Sequence, residues 1–496
     1  MQQFKIIGCA KHPICRELYK PLQKNRCVAI ITIYERMFRR LRFVELRYIM
    51  MKLSPPAIYV LDKLTASSYQ AYLVGGCVRD CLMGAAAKDT DITTSALPEE
   101  VKSVFSEDRI IETGIKHGTL TVIAKGKPVE ITTFRTEGAY SDKRHPDKVN
   151  FTADVKDDLS RRDFTMNAIA YNPQEGFIDL FGGINDIKNK TIRCVGYPRN
   201  RFEEDALRIL RAVRFSSVLG FEIEQGTKRA LFDCKEELTH ISKERLASEL
   251  SLTVCGDNIK NVIIEYAPIL GTFIEQFSNM INFSRHNPHH KYDLLTHVAN
   301  MTSELPPVLH LRLTGLLHDI GKPACFSRGE NGIGHFYGHE KLGAEMADDI
   351  LRDLKFDNAT RNKVVTLIRY HMYPLTNDEK IIKKLLSKIG EEMFFELIQI
   401  KKADVSAHVQ AHLPNKAFFD EIAFHAASII GSKECFCLKT LAINGKDVEK
   451  LGFEGKNIGK VLDMLLDKVI KSEIENDYEM LMREAFEISI SRTELL

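Results

Sequence analysis

The feature that most constrains this chain is a change of hydrophobic period. From residue 71 to 135, short alternating apolar runs are punctuated by glycine and proline; after about Asp154, apolar residues recur every three or four positions almost to the C-terminus. An irregular glycine-rich stretch at 176–196 interrupts the second pattern. A period near two builds strands and a period near 3.6 builds helices, so the sequence predicts a small α+β head ahead of a long helical body. With 496 residues the chain has room for several independent cores.

Local signals fill in the head. Ser54 ahead of Pro55 and Pro56 reads as the capped start of a helix, which places the beginning of the folded protein near Met51. A strand is predicted at Ala71–Val74, then a Gly-Gly turn into a helix, a strand around Asp89–Thr93 and a helix opened by Pro98. Thr119–Ala124 and Val129–Phe134, joined through 126-Gly-Lys-Pro, read as the arms of a hairpin in a partly solvated antiparallel sheet.

Charge narrows the function classes. Net charge is +2, but residues 1–50 hold eleven Lys/Arg against three Glu, so the rest of the chain is net −6 and any nucleic-acid footprint must be a local stripe. That basic segment contains no serine and lacks a leader-like apolar core followed by small residues, so it is read as an upstream extension of doubtful structure. Apolar runs stay far below membrane-spanning length, and no membrane association is expected. The 11 cysteines are scattered without a C-x-x-C pair, which favours reduced, cytoplasmic thiols.

Gly75 and Gly76 lie between a predicted strand and helix, where amide groups can receive an anion, although a Gly-Gly turn alone is usually only a turn. Asp89 and Asp91 follow at i and i+2 on a predicted strand, so both carboxylates would share a face, a repulsive arrangement that Mg²⁺ with triphosphate ligands would relieve. Glu130 on the second hairpin arm suits a third acidic ligand and equally suits an ordinary exposed strand position. Such a set fits attack of a hydroxyl on an α-phosphate with pyrophosphate leaving. Residues 160–170 open with charge and continue through Phe164, Met166, Ile169 and Ala170, as an amphipathic helix would. Asp205 and Arg208 stand three apart, on one face of a predicted helix, where an intrahelical ion pair is the simplest reading.

Together these blocks identify a family. Gly75-Gly76-x-Val78-Arg79-Asp80 with Asp89-x-Asp91, Arg161-Arg162-Asp163-Phe164-Thr165-x-Asn167-Ala168, and Glu204-Asp205-x-x-Arg208 with Arg211-Ala212-x-Arg214-Phe215 resemble the class II tRNA nucleotidyltransferase and bacterial poly(A) polymerase family in order and spacing. The stretch 177-Phe-Ile-Asp-Leu-Phe-Gly-Gly-Ile-Asn-Asp-Ile-187 is similar to the family's head-to-neck connector. The resemblance implies a polymerase-β-type head and Mg²⁺-dependent addition of CCA to the 3′ end of tRNA from CTP and ATP, with the protein reading the bases. It makes Asp205 and Arg208 the base-reading pair, puts Asp163 near the ribose, and places Arg162 and Asn167 near sugar and phosphates. Arg79, Arg211 and Arg214 fall within the same nucleotide-binding blocks. Chemistry supports such a pair: cytosine and adenine both present an exocyclic amino donor beside a ring-nitrogen acceptor, which a carboxylate and a guanidinium can satisfy. Uracil and guanine reverse both roles and would leave buried charged groups unpaired. Residues 136–148 resemble the family's flexible loop, which favours addition of the terminal A, although an A-only enzyme would keep it too.

Histidines crowd the segment from 286 to 318, where 316-Leu-Leu-His-Asp-Ile-Gly-Lys-322 ends an apolar helix. With His297, His339, His371 and Asp404, the ordered set resembles the HD phosphohydrolase superfamily. The resemblance implies one divalent transition metal on His297, His318, Asp319 and Asp404, with His339 and His371 able to hold a second. HD domains of such tRNA enzymes resemble 2′,3′-cyclic phosphodiesterases or phosphatases of damaged RNA ends. Residues 441–459 look like a tRNA-contacting tail element, with Gly459 opening a helix beside Lys456 and Lys460, although an ordinary loop before a surface helix has the same composition. The implied division is an extension at 1–50, a nucleotidyltransferase head at 51–195, a helical neck with the nucleotide-selecting helix at 196–285, an HD domain at 286–415 and a helical tRNA-binding tail at 416–496. No obligate protein partner is evident. The enzymatic alternatives are a poly(A) polymerase or an A-adding tRNA nucleotidyltransferase. An alternative of another class is an HD phosphohydrolase with an RNA-binding head.

Overall fold

The computed structural model describes residues 51, 53–87, 89–138, 149–283, 293–329, 333–407 and 415–493. The N-terminal extension and most of the loop at 136–148 lie outside that set. Two compact units emerge. The first gathers residues up to 135 with 151–159 and 167–184, and the second gathers 136–150, 160–166 and everything from 185 onward.

In the first unit, Ser54 caps α1 (Pro55–Ala66) by accepting a hydrogen bond from the Ala57 amide, with prolines at the first two helical positions. Strand β1 (Ala71–Val74) is buried along its whole length. Gly75 then takes φ +73°, ψ −138°, a conformation that favours glycine, and turns the chain into α2 (Gly76–Leu82). Next come β2 (Asp91–Thr94), α3 (Pro98–Val104), β3 (Ile110–Gly114), β4 (Thr119–Ala124), β5 (Lys127–Thr133), β6 (Arg135–Glu137), β7 (Val149–Phe151), α4 (Val155–Ser160), β8 (Ile169–Asn172) and β9 (Gly176–Asp179). Seven strands make one sheet in the order β3-β4-β5-β2-β1-β8-β9, while β6 and β7 pair separately.

Two expectations are corrected here. The sheet is mixed rather than antiparallel, because β2 and β5 run parallel with Asp91 opposite Glu130. Residues 160–170 are not an amphipathic helix. They pass through a 3₁₀ turn at Thr165–Asn167 and enter β8, which pairs with β1. Phe164, Met166, Ile169 and Ala170 are all buried as expected, but a run this short satisfies a helical spacing without being a helix. Tyr72, Val74, Phe134, Leu159 and Ala170 form a core cluster, and the Tyr72 and Phe134 rings stack with centroids 6.2 Å apart.

The later elements are helical, as the period requires. After α5 (Gly183–Lys188) come β10 (Thr191–Ile192), α6 (Pro198–Glu204), α7 (Leu207–Leu219), β11 (Glu222–Ile223), α8 (Gln225–Asp233), α9 (Lys243–Val254), α10 (Ile259–Leu270) and α11 (Glu275–Ser278). Then follow α12 (Leu294–Glu304), α13 (Leu309–Leu317), β12 (Ser327–Arg328), β13 (Gly334–His335), α14 (His339–Asp353), α15 (Asn358–Tyr370) and α16 (Glu379–Ala407), which is broken at Gly390. The chain closes with α17 (Lys416–Gly431), α18 (Gly445–Glu449), α19 (Lys456–Ile470) and α20 (Tyr478–Thr493). Phe394, Leu397 and Ile400 of α16 pack with Leu367 of α15 and Ile422 of α17 in one core, and Val448, Leu465 and Leu481 belong to another. Helix α19 opens at Lys456 after Gly455, so Gly459 lies inside the helix rather than opening it. Among the described residues no helix is long and apolar enough to cross a membrane.

Truncating Phe134 tests the head core directly. Its side chain is fully buried, so Phe134→Ala should cost about 3–5 kcal/mol, read as an earlier unfolding transition in denaturant.

Candidate active sites

In the first unit, β2 begins at Asp91, and Asp89 precedes it in an exposed bend. Asp91 is half-buried and sits beside exposed Glu130 in the parallel register of β2 and β5. Neighbouring strands thus bring Asp91 and Glu130 side by side, with Asp89 two residues upstream. Oxygen donors alone at one sheet end suit a hard divalent ion, whose charge would offset their mutual repulsion. Their oxygens do not converge into a cluster of three in this structure: among the described residues, only two groups of three or more donors do so, and both are in the second unit.

Arg79 is committed within the head. It donates to the Asp80 carboxylate at 2.7 and 2.9 Å and to Asn167 Oδ1 at 2.9 Å, tying the helix after Gly75-Gly76 to the start of β8. Both Arg79 and Asn167 are buried. These bonds order the turn that carries Gly75 and Gly76.

In the second unit, Asp163 is buried and accepts from Arg211 Nε and Nη2 at 2.8 and 2.6 Å, while its other oxygen accepts from the Phe164 amide. The Asp163 carboxylate raises the Arg211 pKa against the opposing effect of burial. Arg162 beside it is half-buried. Arg214 donates to Glu249 at 3.3 Å and lies 4.3 Å from the Phe215 ring centre. Burial pushes the Glu249 carboxyl up, with Arg214 and Arg211 opposing it.

The expected shared helical face of Asp205 and Arg208 is corrected. Asp205 ends α6 in an extended conformation, and Arg208 is the second residue of α7. The two are not ion-paired with each other. Asp205 accepts from the Leu207 amide at 3.1 Å and from Arg245 Nη2 at 2.9 Å. Arg208, only 9 % exposed, donates to Glu204 at 2.7 Å and to the Arg161 carbonyl at 3.1 Å. The simple ion-pair reading fails, because a helix break separates the pair and gives each its own anchor. Glu204 lies within the sequence motif, whereas Arg245, forty positions away, carries no local signal.

The histidine set does come together. His297 of α12, His318 at the end of α13, and Asp404 of α16 form one group; Asp319, His339 at the start of α14, and His371 at the end of α15 form the other. Asp319 faces both: its Oδ2 is 3.5 Å from His297 and 3.2 Å from His318, and its Oδ1 is 3.5 Å from His339 and 3.9 Å from His371. Asp404 lies 3.1 Å from His297 Nε2. Three imidazoles are oriented by their Nδ1 atoms, which lie 2.8, 2.7 and 2.6 Å from the carbonyls of Gly315, Phe336 and Ile368, leaving each Nε2 directed into the cluster. Burial drives the His371 pKa down to about 3, with His318 adding to the effect, so the ring is neutral and ligand-competent at ordinary pH. For Asp319 burial acts upward, but His318 and Lys322 charges and the His318 and His339 hydrogen bonds outweigh it, holding the carboxyl well below its usual range. Mixed imidazole and carboxylate donors in two groups sharing one carboxylate fit a pair of borderline transition metals. Lys322, 2.7 Å from Asp319 Oδ2, is an addition that the i, i+3 spacing within the His-Asp segment could have revealed. Lys401 is another: it donates to the His371 carbonyl at 2.7 Å, and burial lowers its pKa to about 8 despite Asp404.

Comparison with known proteins bears on both regions. The poly A polymerase head domain model matches residues 71–193, the model described as a probable RNA and SrmB-binding site of polymerase A matches 220–265, and that of a putative tRNA nucleotidyltransferase domain 2 matches 331–485. The CCA-adding enzyme of Lacticaseibacillus paracasei is 33% identical over 451 residues, covering 88% of this chain and 97% of its own. The chain belongs to the CCA-adding enzyme family. With the CCA-adding enzymes of two Lactobacillus delbrueckii subsp. bulgaricus strains, identity rises to 48% over 210 residues, an alignment spanning 42% of this chain and about half (52%) of theirs. The crystal structure of the Bacillus stearothermophilus CCA-adding enzyme in complex with CTP superposes with a TM-score of 0.68 at 28% identity, covering 90% of this chain and all of that one. The Thermotoga maritima CCA-adding enzyme shares the fold at 20% identity and a TM-score of 0.54, covering 89% of this chain and 97% of its own. The chain thus has the fold of this family, with a mixed α/β head and a helical remainder.

Gly321 offers a test of the donor cluster. A Cβ there would lie 2.6 Å from the His339 carbonyl and 2.8 Å from the Gly343 amide, both backbone atoms that cannot yield cheaply. Gly321→Ala should push α14 away from Asp319 and weaken Mn²⁺ or Ni²⁺ binding about tenfold or more in an equilibrium titration.

Proposed function

We propose that this protein adds CCA to the 3′ end of tRNA from CTP and ATP, without a nucleic-acid template and with release of pyrophosphate. The observation that carries the reading is the alignment with a CCA-adding enzyme over 97% of that protein's length. The crystal structure of the similar Bacillus stearothermophilus protein, in complex with CTP, supports CTP as a substrate. We retain the division into head, neck, HD domain and tail at 51–195, 196–285, 286–415 and 416–496, in a cytoplasmic setting in keeping with the free thiols of the eight described cysteines.

In this reading Asp89 and Asp91, with Glu130 beside them, hold Mg²⁺, which when bound would neutralise charge on the triphosphate and lower the pKa of the attacking hydroxyl. The Gly75-Gly76 turn, ordered by Arg79 and Asn167, receives phosphate. Asp163, locked by Arg211, meets the ribose, with Arg162 near sugar and phosphates. Asp205 and Arg208, held by Arg245 and Glu204, read the base edge; Arg214, fixed against Glu249 and Phe215, steadies the same helix. Preorganised polar groups of this kind select without paying for reorganisation during each addition. Lys456 and Lys460, both exposed in the first turns of α19 around Gly459, contact tRNA phosphates.

Asp89→Ala or Asp91→Ala should abolish addition of both C and A while tRNA binding stays within about twofold, because RNA affinity comes mainly from phosphate contacts elsewhere. The assay offers tRNAs lacking one, two or three terminal nucleotides with single labelled triphosphates, so it also separates CCA addition from A-only addition. ATP-only extension of generic RNA would establish a poly(A) polymerase instead. Arg208→Ala should raise UTP or GTP misincorporation relative to CTP roughly tenfold to a hundredfold, since a bidentate base contact carries about 1–3 kcal/mol of discrimination. Unchanged selectivity in a stable Arg208→Ala protein would remove base reading by this pair.

The HD cluster favours a second activity, hydrolysis of a phosphoester. A transition-metal pair, when bound there, would polarise a water; the water oxygen adds to phosphorus and the ester oxygen leaves with a proton. The sharing of Asp319 by the two donor groups supports this role over that of an inert relic. His318→Ala with Asp319→Ala should eliminate metal-dependent phosphodiesterase activity and leave nucleotide addition nearly intact.

A further inference from the structure

Tyr337 and His335 stand beside the donor cluster and take no part in it. Their rings are stacked nearly parallel, with centroids 5.4 Å apart and planes 8° apart, and the Tyr337 side chain is 80% exposed. Other aromatics, such as Tyr197, are as exposed, but Tyr337 combines exposure with a second ring stacked on it, which leaves a flat face open to a further ring. The residue between His335 and Tyr337 is fixed in place. The Phe336 ring packs against Phe326 and Phe283 with centroids 5.7 and 6.3 Å away, and Lys322 Nζ lies 5.8 Å from its centre. The Phe336 carbonyl partners His339 Nδ1 at 2.7 Å, and Lys322 in turn holds Asp319 at 2.7 Å. His335 is also paired with Ser327 in the β12–β13 hairpin. One residue thus ties this segment to two members of the second donor group, to His339 directly and to Asp319 through Lys322. Gly338, at φ +77°, turns the chain straight from Tyr337 into His339. Across two residues the Cα atoms of Tyr337 and His339 are at most about 7 Å apart, within the span of a single nucleotide.

We propose that Tyr337, backed by His335, is a nucleobase-stacking platform that makes the HD cluster selective for phosphoesters carrying a base, such as a nucleoside 2′,3′-cyclic phosphate. The inference rests on the phosphohydrolase reading and adds to it the residues that recognise the substrate away from the reacting phosphorus. Stacking is tolerant of base identity because every base has a π face, and a tyrosine backed by a second ring loses little freedom on binding. A larger purine face covers more of the platform than a pyrimidine does.

The test uses the full-length protein loaded with Mn²⁺ or Ni²⁺ and compares hydrolysis of adenosine and uridine 2′,3′-cyclic phosphates with that of glycerol 1,2-cyclic phosphate, which keeps the five-membered cyclic ester and lacks a base. Tyr337→Ala should raise KM for the adenosine ester roughly tenfold to a hundredfold, and less for the uridine ester, while kcat/KM for the glycerol ester stays within about twofold. Tyr337→Phe should restore the adenosine KM, and His335→Ala should cost less than Tyr337→Ala. Equal losses on the base-bearing and base-free esters, or no loss on either, would overturn the platform and leave the hydrolase reading standing. A wild-type protein inert toward all three esters would overturn the hydrolase reading, and the platform with it.

Discussion

A carboxylate sealed from water governs the geometry of the second unit. Asp319 is 1% exposed, and an isolated charge at such depth would cost several kcal/mol and shift towards neutrality. It stays ionised because the charges of His318 and Lys322 and hydrogen bonds to His318 and His339 outweigh burial, and the groups around it, His297, His318, His339, His371 and Lys322, come from α12, the ends of α13 and α15, the start of α14 and the turn after α13. Satisfying one carboxylate thus fixes the approach of four helices. Gly321 supplies the room: a Cβ there would collide with the His339 carbonyl and the Gly343 amide. The neighbouring groups keep their useful protonation states for the same reason, with burial holding His371 neutral and nearby positive charge holding Asp319 ionised.

The residues expected to select nucleotide follow a different principle, in which charge is pinned rather than buried whole. Arg211 grips Asp163, Arg245 grips Asp205, Glu204 grips Arg208, and Glu249 faces Arg214. Glu204 and Arg208 bridge the end of α6 and the start of α7, Arg214 and Glu249 join α7 to α9, Arg245 reaches from α9 to the break at Asp205, and Arg211 reaches from α7 to the loop at Asp163. The break at Asp205 frees two side chains, four residues or fewer apart in sequence, from pairing with each other. A continuous helix would have encouraged the very ion pair that a base-reading pair must avoid.

Much of this was legible in the sequence where a residue's local chemistry decides its conformation. Ser54 with two prolines, the Gly75 turn, Pro98 and the buried period of β1 specify their elements without help from the rest of the chain. The six HD positions were legible as a set because His and Asp at those intervals have few other uses. Reading failed where partners are distant. Residues 164–170 carry apolar side chains at spacings compatible with either period, and pairing with β1 and β9 makes the end of the segment the start of strand β8. The end of α6 at Asp205 answers to Arg245, and the earlier start of α19 answers to Gly455, whose φ of +55° suits glycine before Lys456.

The pairing of β1 has a further consequence for how the protein is made. On one side β1 pairs with β2, about twenty residues away, but on the other its partner β8 arrives only with residues 169–172, after the chain has contributed 160–166 to the other unit. During synthesis the ribosome therefore releases a head with one flank of β1 open, and the sheet is completed only when nearly a hundred further residues have emerged. Pairings this distant in sequence form slowly and leave an apolar edge exposed while they wait. The same pairing also limits where the head can be cut: any cut before residue 169 removes β8 and β9, the two strands beyond β1 at one end of the sheet, and leaves the buried flank of β1 unpaired.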